Sequence, residues 1–539
     1  MKLFQKLLLA PAALGLMAPV AASAADLNIA GVSQYGSEEQ VTSITQFSDV
    51  QPTDWAYQAL SNLIERYGCV AGYPNGTYRG SRAMTRFEAA ALLNACLDRI
   101  TEVTDELKRL MKEFEKELAV LKGRVDGLEA KVAELEATQF STTTKLKGIA
   151  TFVLGANSFG GSVDAVRDAA ATQEGGTTFN YDVRLNFDTS FTGKDLLRTT
   201  LRAGNFGSSA FGGGITTGTN EAALGLNQLE VAFQEGEAGS NIVGINRLFY
   251  QFPVGDKVTV TFGGRVRQDD MLAMWPSVYP ADTVLDVFTY GGAPGAYNLN
   301  LGAGAGIWYE DNGWSFSANY VSGNAQNGNP NEGGIGTDAA AQTGTVQIGY
   351  AASNWGAAAV YNYSNGVGPA SGTPLAVLGG SGTGQLFDSV NSVGVSAYWQ
   401  PSTSGWVPSI SVGWGINSYN QADTAFDYDG ATSQSWYVGL QWDDAFIKGN
   451  ALGMAVGQPT FITSCGDLCQ DGQKSTYDGN YAWEWWYKFQ VTDNISVTPA
   501  IFYLSNPLGA IGNAARVAAG ENGAALTNFG GLIKTTFKF

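Results

Sequence analysis

The residues best placed to do chemistry are charged side chains set into an alternating apolar pattern. Val183, Leu185 and Phe187 alternate with Asp182, Arg184, Asn186 and Asp188. Val258, Val260, Phe262 and Val266 alternate with Thr259, Thr261, Arg265 and Arg267. Trp483, Trp485, Tyr487, Phe489 and Val491 alternate with Glu484, Lys488 and Gln490. A period of two sends the two sets to opposite faces of a strand, so Arg184, Arg265, Arg267, Glu484 and Lys488 are expected on polar faces. Lining a water-filled passage, such groups set solute preference by their charge rather than by making or breaking bonds. The chain has no histidine, which excludes a Ser-His-Asp triad, and no metal or cofactor is expected. The carboxylate pairs Asp269-Asp270 and Asp443-Asp444 read as solvated loop or turn charges, so the chain does not read as an enzyme.

The elements that must carry these residues are strands in a glycine-rich block. Of 539 residues, 69 are glycine, 12% are aromatic and only 15% are charged. Mean hydropathy is −0.06, and past the first 25 residues or so no apolar run approaches the ~20 residues of a membrane helix. Alternating membrane strands average their hydropathy away in this manner. From Ser141 onward strand-like segments recur, and twelve of the thirteen tryptophans lie there, many near strand ends, such as Trp308, Trp314, Trp355, Trp399 and Trp442. Amphipathic rings at both membrane interfaces account for that placement. The expected fold is therefore a large antiparallel transmembrane β-barrel over 141–539. Short turns such as Gly255-Asp256 and Asp493-Asn494 are expected at the periplasmic end, and longer stretches such as 322–342 and 363–385 outside. Trp486 and Phe502 fall on the inner face, as sugar-stacking surfaces or as barrel filling, with filling favoured.

Residues 1–24 read as a signal peptide: Lys2 and Lys6, an apolar run over 7–20, and Ala22-Ser23-Ala24 as a small-residue cleavage site. Export suits disulfides. Cys69 and Cys96 fall in one N-terminal module and Cys465 and Cys469 in one polar loop, so two local disulfides are expected, with buried thiols the alternative for the first pair. The net charge of −18 excludes a nucleic-acid partner, which needs a basic surface.

Two further segments precede the barrel. Over 44–99 the chain reads helix, loop, helix, with Asp54 capping the first helix and Thr85-Arg86-Phe87-Glu88 forming a capping box at the second. Over 100–138, Ile100, Val103, Leu107, Leu110 and Phe114, then Leu118, Leu121, Val125, Leu128, Val132 and Leu135, recur at heptad spacing with a stutter near Phe114. This predicts a coiled-coil stalk of about 36 residues, ~54 Å long.

Phe47-Ser48-Asp49-Val50, Trp55-Ala56, Tyr67-Gly68, Gly72-Tyr73-Pro74-Asn75-Gly76 and Thr85-Arg86-Phe87-Glu88 together resemble one S-layer homology repeat. The resemblance implies binding of cell-wall polysaccharide through Asp49, Trp55, Gly72 and Arg86. Phe87 departs from the family tetrapeptide, and core packing and capping account for Trp55, Thr85 and Glu88 without a glycan. The ending Ile533-Lys534-Thr535-Thr536-Phe537-Lys538-Phe539 resembles the signal that the barrel-assembly machinery reads on a last strand.

The order of signal, single repeat, coiled coil and barrel is similar to the major outer-membrane porins of cyanobacteria, whose barrels resemble the carbohydrate-selective OprB-like porins and some of which are described as iron-uptake porins. This implies about sixteen strands, a homotrimer, an outer-membrane location with the N-terminal domain in the periplasm, and a tie to peptidoglycan-linked polysaccharide. It also implies passive diffusion of ions and small hydrophilic solutes. The rival reading is a tether between outer membrane and wall whose barrel is plugged. Residues 141–539 hold 17 Lys+Arg against 31 Asp+Glu, which by charge alone predicts a cation preference. Ligand-spaced iron sites are absent from the sequence, so iron would pass by permeation.

Overall fold

The computed structural model describes residues 43–54, 57, 61, 64, 77, 112, 115, 116, 143–212, 225–233, 241–282, 284–377, 387–421, 429–466 and 476–539. The signal segment, Trp55, Gly72, Arg86, Cys69, Cys96, Cys469 and most of the heptad segment lie outside the described residues. The chain divides into two units, Met1–Gln139 and Phe140–Phe539.

In the first unit a 3-10 turn over Ile44–Gln46 is capped by Ser43, whose hydroxyl accepts from the Thr45 amide. That cap satisfies a donor that the short turn cannot pair internally. Ile44, Phe47 and Ile64 form a small core, with Val50 and Tyr57 against it. The Asp54 carboxylate accepts from the Gln51 amide at 2.7 Å, and Tyr57, Ser61 and Ile64 are helical. Asp49 is exposed on the turn that follows Phe47.

The second unit is a closed barrel of sixteen antiparallel strands, each hydrogen-bonded to its chain neighbours. They are β1 (Thr144–Gly160), β2 (Thr178–Thr189), β3 (Leu196–Gly204), β4 (Gly244–Val254), β5 (Val258–Arg267), β6 (Leu301–Asp311), β7 (Trp314–Ser322) and β8 (Gln342–Ala351), then β9 (Trp355–Asn365), β10 (Phe387–Trp399), β11 (Ser409–Gln421), β12 (Ala431–Asp443), β13 (Ala451–Cys465), β14 (Tyr481–Thr492), β15 (Ile495–Ser505) and β16 (Thr527–Lys538). Closure pairs β1 with β16, from Ile149 opposite Lys538 to Gly160 opposite Thr527, so no edge is left unpaired in the membrane. Among the described residues, three short α-helices lie in connections: α1 (Asp164–Glu174), α2 (Pro374–Val377) and α3 (Gly509–Ala519). Among the described residues no helix is long and apolar enough to cross a membrane.

Connections alternate in length. One end carries turns such as 255–257, 312–313, 352–354 and 493–494, and the other carries the long connections 205–243, 268–300, 323–341 and 506–526. At 312–313 both Asn312 (φ 50°) and Gly313 (φ 84°) are left-handed, as a two-residue hairpin turn requires. The outward face is apolar, with Ile307, Phe316, Val346, Ile348, Val393 and Val395 exposed. Rings border this band. Near the short turns, Tyr350 packs between Trp314 at 5.1 Å and Trp355 at 5.3 Å. Towards the long connections, Trp483 packs between Tyr481 at 5.4 Å and Tyr503 at 5.8 Å. An apolar band between two aromatic girdles is the surface of a membrane barrel.

Candidate functional site

The lumen is shaped by the connection 268–300, which folds inward after β5. The strand changes phase first. A bulge between Gly263 and Val266 puts Val266 inside, packed with Phe249, Met271 and Val321. Val266 therefore does not share the outward face of Val258, Val260 and Phe262 that simple alternation predicts, because one inserted residue inverts the alternation. Gln268, fully buried, then staples the two ends of the connection. Its amide donates to the Ala296 carbonyl (2.8 Å) and the Thr345 hydroxyl (2.7 Å), and its oxygen accepts from the Leu299 amide (3.0 Å).

Beyond this staple the loop backbone lies against a wall of small polar residues. Ser396 and Ser435 donate to the carbonyls of Gly291 and Gly292, Ser411 accepts from the amides of Val278 and Tyr279, and Tyr437 donates to Ser277. Contact is close enough that a Cβ at Gly413 would meet the Gly291 carbonyl oxygen at 1.8 Å. Glycine and serine on β11 and β12 are therefore what let the loop seat flat. On β14 the anchor is a carboxylate: Glu484, 0% exposed, accepts from the Tyr279 hydroxyl (2.7 Å) and the Leu285 amide (2.7 Å), while Trp486 donates to the Tyr279 oxygen (2.8 Å).

The connection between β3 and β4 folds in as well. Its Leu229 bridges Leu285 of the first loop, the Glu230 amide donates to the Val284 carbonyl, and the Asp286 amide to the Gln228 carbonyl. Phe206, Phe211, Leu226 and Leu229 join Val153, Trp486, Phe502 and Leu532 in one buried cluster. Trp486 and Phe502 are thus barrel filling, beneath the loops.

The side left uncovered by small residues is charged. Asp182 of β2, 1% exposed, takes Arg184 at 2.8 Å and Arg202 of β3 at 2.7 Å. Arg184 also reaches Glu230 at 3.3 Å. Arg198 pairs with Asp188 at 2.8 Å, Arg247 of β4 with Asp270 at 2.6 Å, and Arg267 with Asp269 at 2.5 Å. The guanidinium of Arg202 lies 4.1 Å from the centre of the Phe233 ring, a cation–π contact. Burial pushes the carboxyl of Asp286, in the loop facing this wall, up to about 6. On the opposite side Lys534, Lys538 and Lys488 together hold the carboxyl of Asp282 below the usual range.

Of the five side chains expected to line the passage, Arg184 and Arg267 belong to this charged wall and Lys488 faces Asp282. Arg265 is half-buried and registered opposite the exposed Leu248, next to the bulge. Glu484 is on the inner face but covered, so it holds the loop rather than touching solute. Asp269 and Asp270 are largely buried and ion-paired, not solvated, because the chain turns inward at that point. Asp444 is a turn charge, bonded to Ser404 and the Gly449 amide. Arg198, Arg202 and Arg247 complete the wall beyond the expected residues, and Leu197-Arg198 and Leu201-Arg202 carry the same alternation. Cys465 is disulfide-bonded.

At the mouth with the long connections, the carboxyl of Asp478 is buried and accepts from the Thr373 hydroxyl, the Ile462 amide and the Ala510 amide. It joins the segments leading into α2 and α3 to β13, and burial pushes it up to about 6. With the folded value above the unfolded ~3.9, the folded form holds the proton more tightly. The stabilisation is complete below pH ~4 and is lost as pH rises through about 6, at most about 3 kcal/mol. Limited proteolysis of these loops should be faster at alkaline than at mildly acidic pH, and Asp478→Asn should flatten that dependence. A wild-type rate that is flat across this window would rule out the assignment.

Residues 102–539 match the model of the carbohydrate-selective porin family, OprB, and the chain belongs to that family. Residues 46–90 match the S-layer homology domain. A protein of Nostoc sp. (strain PCC 7120) is 37% identical over 543 residues, covering 93% of this chain and 86% of that one. One of Synechocystis sp. (strain PCC 6803) is 32% identical, covering 94% and 93%. The outer membrane protein SlpA of Deinococcus radiodurans is 36% identical over 104 residues, 17% of this chain and 9% of that one. Among solved structures, OprB of Pseudomonas putida is similar at a TM-score of 0.46 and 14% identity, covering 76% of this chain and 96% of that one. The chain is an outer-membrane porin with its N-terminal domain on the periplasmic side.

Proposed function

We propose that the barrel passes small hydrophilic solutes by passive diffusion between the folded-in loops and the guanidinium-rich wall of β2–β5. The observation that carries this is the pairing of one lumen-crossing loop, seated on small neutral residues, with a wall of charged ones. Arg184, Arg198 and Arg267 are each more exposed than the carboxylates they pair with. Water in the passage therefore meets more cationic than anionic surface. This favours anions and neutral polyols at the constriction, against the cation preference that the chain's acidic balance suggests. Sugars fit the family description, and iron would pass only as a small permeant complex.

The full chain reconstituted in liposomes should swell in small sugars, and planar-bilayer reversal potentials in a salt gradient should take the anion-selective sign. Absence of both flux and conductance would favour the rival reading, a tether with a plugged barrel. The folded-in loops lend that rival its weight.

The tether itself is part of the proposal under either reading. Asp49, Trp55, Gly72 and Arg86 are the positions inferred to bind peptidoglycan-linked polysaccharide. Asp49 is exposed at its turn. Residues 1–24 are inferred to be a cleaved signal, 44–99 the wall-binding domain and 100–138 the stalk, with 141–539 inserted by the barrel-assembly machinery. A homotrimer would bring three single repeats to one axis, and sedimentation of the 98–140 segment as a monomer or dimer would count against it.

A further inference from the structure

Two turns at the short-turn end carry large apolar side chains that the pore does not use. Trp406 is 95% exposed in the turn between β10 and β11, and Phe446 is 86% exposed in the turn between β12 and β13, with Val407 and Ile447 exposed beside them. The turns are tied to each other, since Ser404 donates to the Asp444 carboxylate at 2.8 Å. Phe446 sits at φ 64°, a left-handed conformation costly for an aromatic residue, so its projection is held by the turn. By contrast the turns 255–257, 312–313, 352–354 and 493–494 are polar or small.

Where these turns lean identifies what covers them. Trp442 shares the outward face of β12 with Val438 and Leu440, and its indole donates to the Trp406 carbonyl at 2.9 Å. Tyr487 shares the outward face of β14 with Trp485 and Phe489, its hydroxyl donates to the Ala445 carbonyl at 2.7 Å, and its ring lies 6.0 Å from that of Phe446. Both turns are thus folded back onto the lipid-facing girdle, not under the pore, and extend the apolar band without a break. Nearly across the barrel, Phe191 of the 190–195 turn leans likewise on Tyr250 of β4, 6.4 Å away.

We infer that the turns at 400–408 and 444–450 form a hydrophobic foot inserted into the headgroup and acyl boundary of the periplasmic leaflet. Indole and phenyl rings partition to that zone, and one exposed cation, Lys448, is placed to meet lipid phosphate. The foot extends the apolar belt beyond the strand ends over β10–β14, which biases the depth and tilt of the barrel.

The test places an environment-sensitive NBD label at Trp406→Cys and, separately, at Ile447→Cys of the full chain, without reductant. Asn494→Cys serves as the aqueous reference and the unsubstituted chain as labelling background. In vesicles of phosphatidylethanolamine and phosphatidylglycerol, the foot labels should emit blue-shifted. Lipids bearing a doxyl group near the headgroup should quench them several-fold more than they quench the label at 494, and iodide several-fold less. Quenching by iodide equal to that at 494 would overturn the inference. So would shielding from both quenchers, which would mean a protein surface, a second copy or a periplasmic partner.

Discussion

Asp182→Asn should weaken the barrel and swing its selectivity further toward anions. The carboxylate is 1% exposed and sits between Arg184 and Arg202, which face each other across β2 and β3. An amide of the same shape keeps the space filled but removes the charge that lets two guanidinium groups share a partly buried wall. Breaking a buried pair by removing one partner costs about 3–5 kcal/mol. The lower figure is the better expectation, because Arg184 retains Glu230 and some solvent. One negative charge fewer at the constriction also leaves the adjacent cations uncompensated, and in a narrow low-dielectric passage that shifts ion occupancy strongly. Urea unfolding in detergent should move to a lower midpoint, and the reversal potential should move further in the anion-selective direction. If the midpoint falls while the reversal potential stays unchanged, Arg184 and Arg202 are structural and do not face the permeating ions.

Loosening the constriction loop should have the second large effect. In Glu484→Ala the Tyr279 hydroxyl and the Leu285 amide lose their acceptor inside the buried cluster. Each unsatisfied donor costs about 1–3 kcal/mol, and the truncation adds a cavity. The loop segment around 277–286 would then be held on that side by the Trp486 indole, which donates to the Tyr279 oxygen, and by Lys534, which donates to the Asp282 carbonyl. Higher and noisier single-channel conductance and faster swelling in larger sugars are expected, with the strands intact. Glu484→Gln retains one acceptor oxygen and should fall between the two. Conductance and thermal stability identical to wild type in Glu484→Ala would sink the idea that this carboxylate positions the loop.

These two carboxylates also mark how much of the site was legible in advance. Both were visible on inner faces from alternation, Asp182 between Tyr181 and Val183 and Glu484 between Trp483 and Trp485. Their roles were not. Period two reports the face of a strand but carries no information about what is laid against it. Glu484 lies under a loop whose contact residues Tyr279 and Leu285 are about two hundred positions away, and Asp182 is buried between arginines from two strands. Asp269 and Asp270 were misread for the same reason, since an acidic pair after a strand has the same local pattern whether the chain turns out to solvent or in to arginine. Val266 was misplaced by a bulge at Gly263-Gly264, where two flexible residues permit the extra insertion and nothing in the alternation before it announces the change.

By itself, then, the sequence of the second unit determined a membrane barrel. Alternation, aromatic residues at strand ends and unequal turns are local consequences of a strand that meets lipid on one side and water on the other. Those constraints act on every strand separately and can be read residue by residue. Only the tertiary structure decided the pore: which wall is seated against the loops, which is charged, and which carboxylates hold and which face solute. These depend on the path through the lumen of the 268–300 connection and of residues 205–212 and 225–233, which is set by many weak contacts far apart in the chain. No local period records that path.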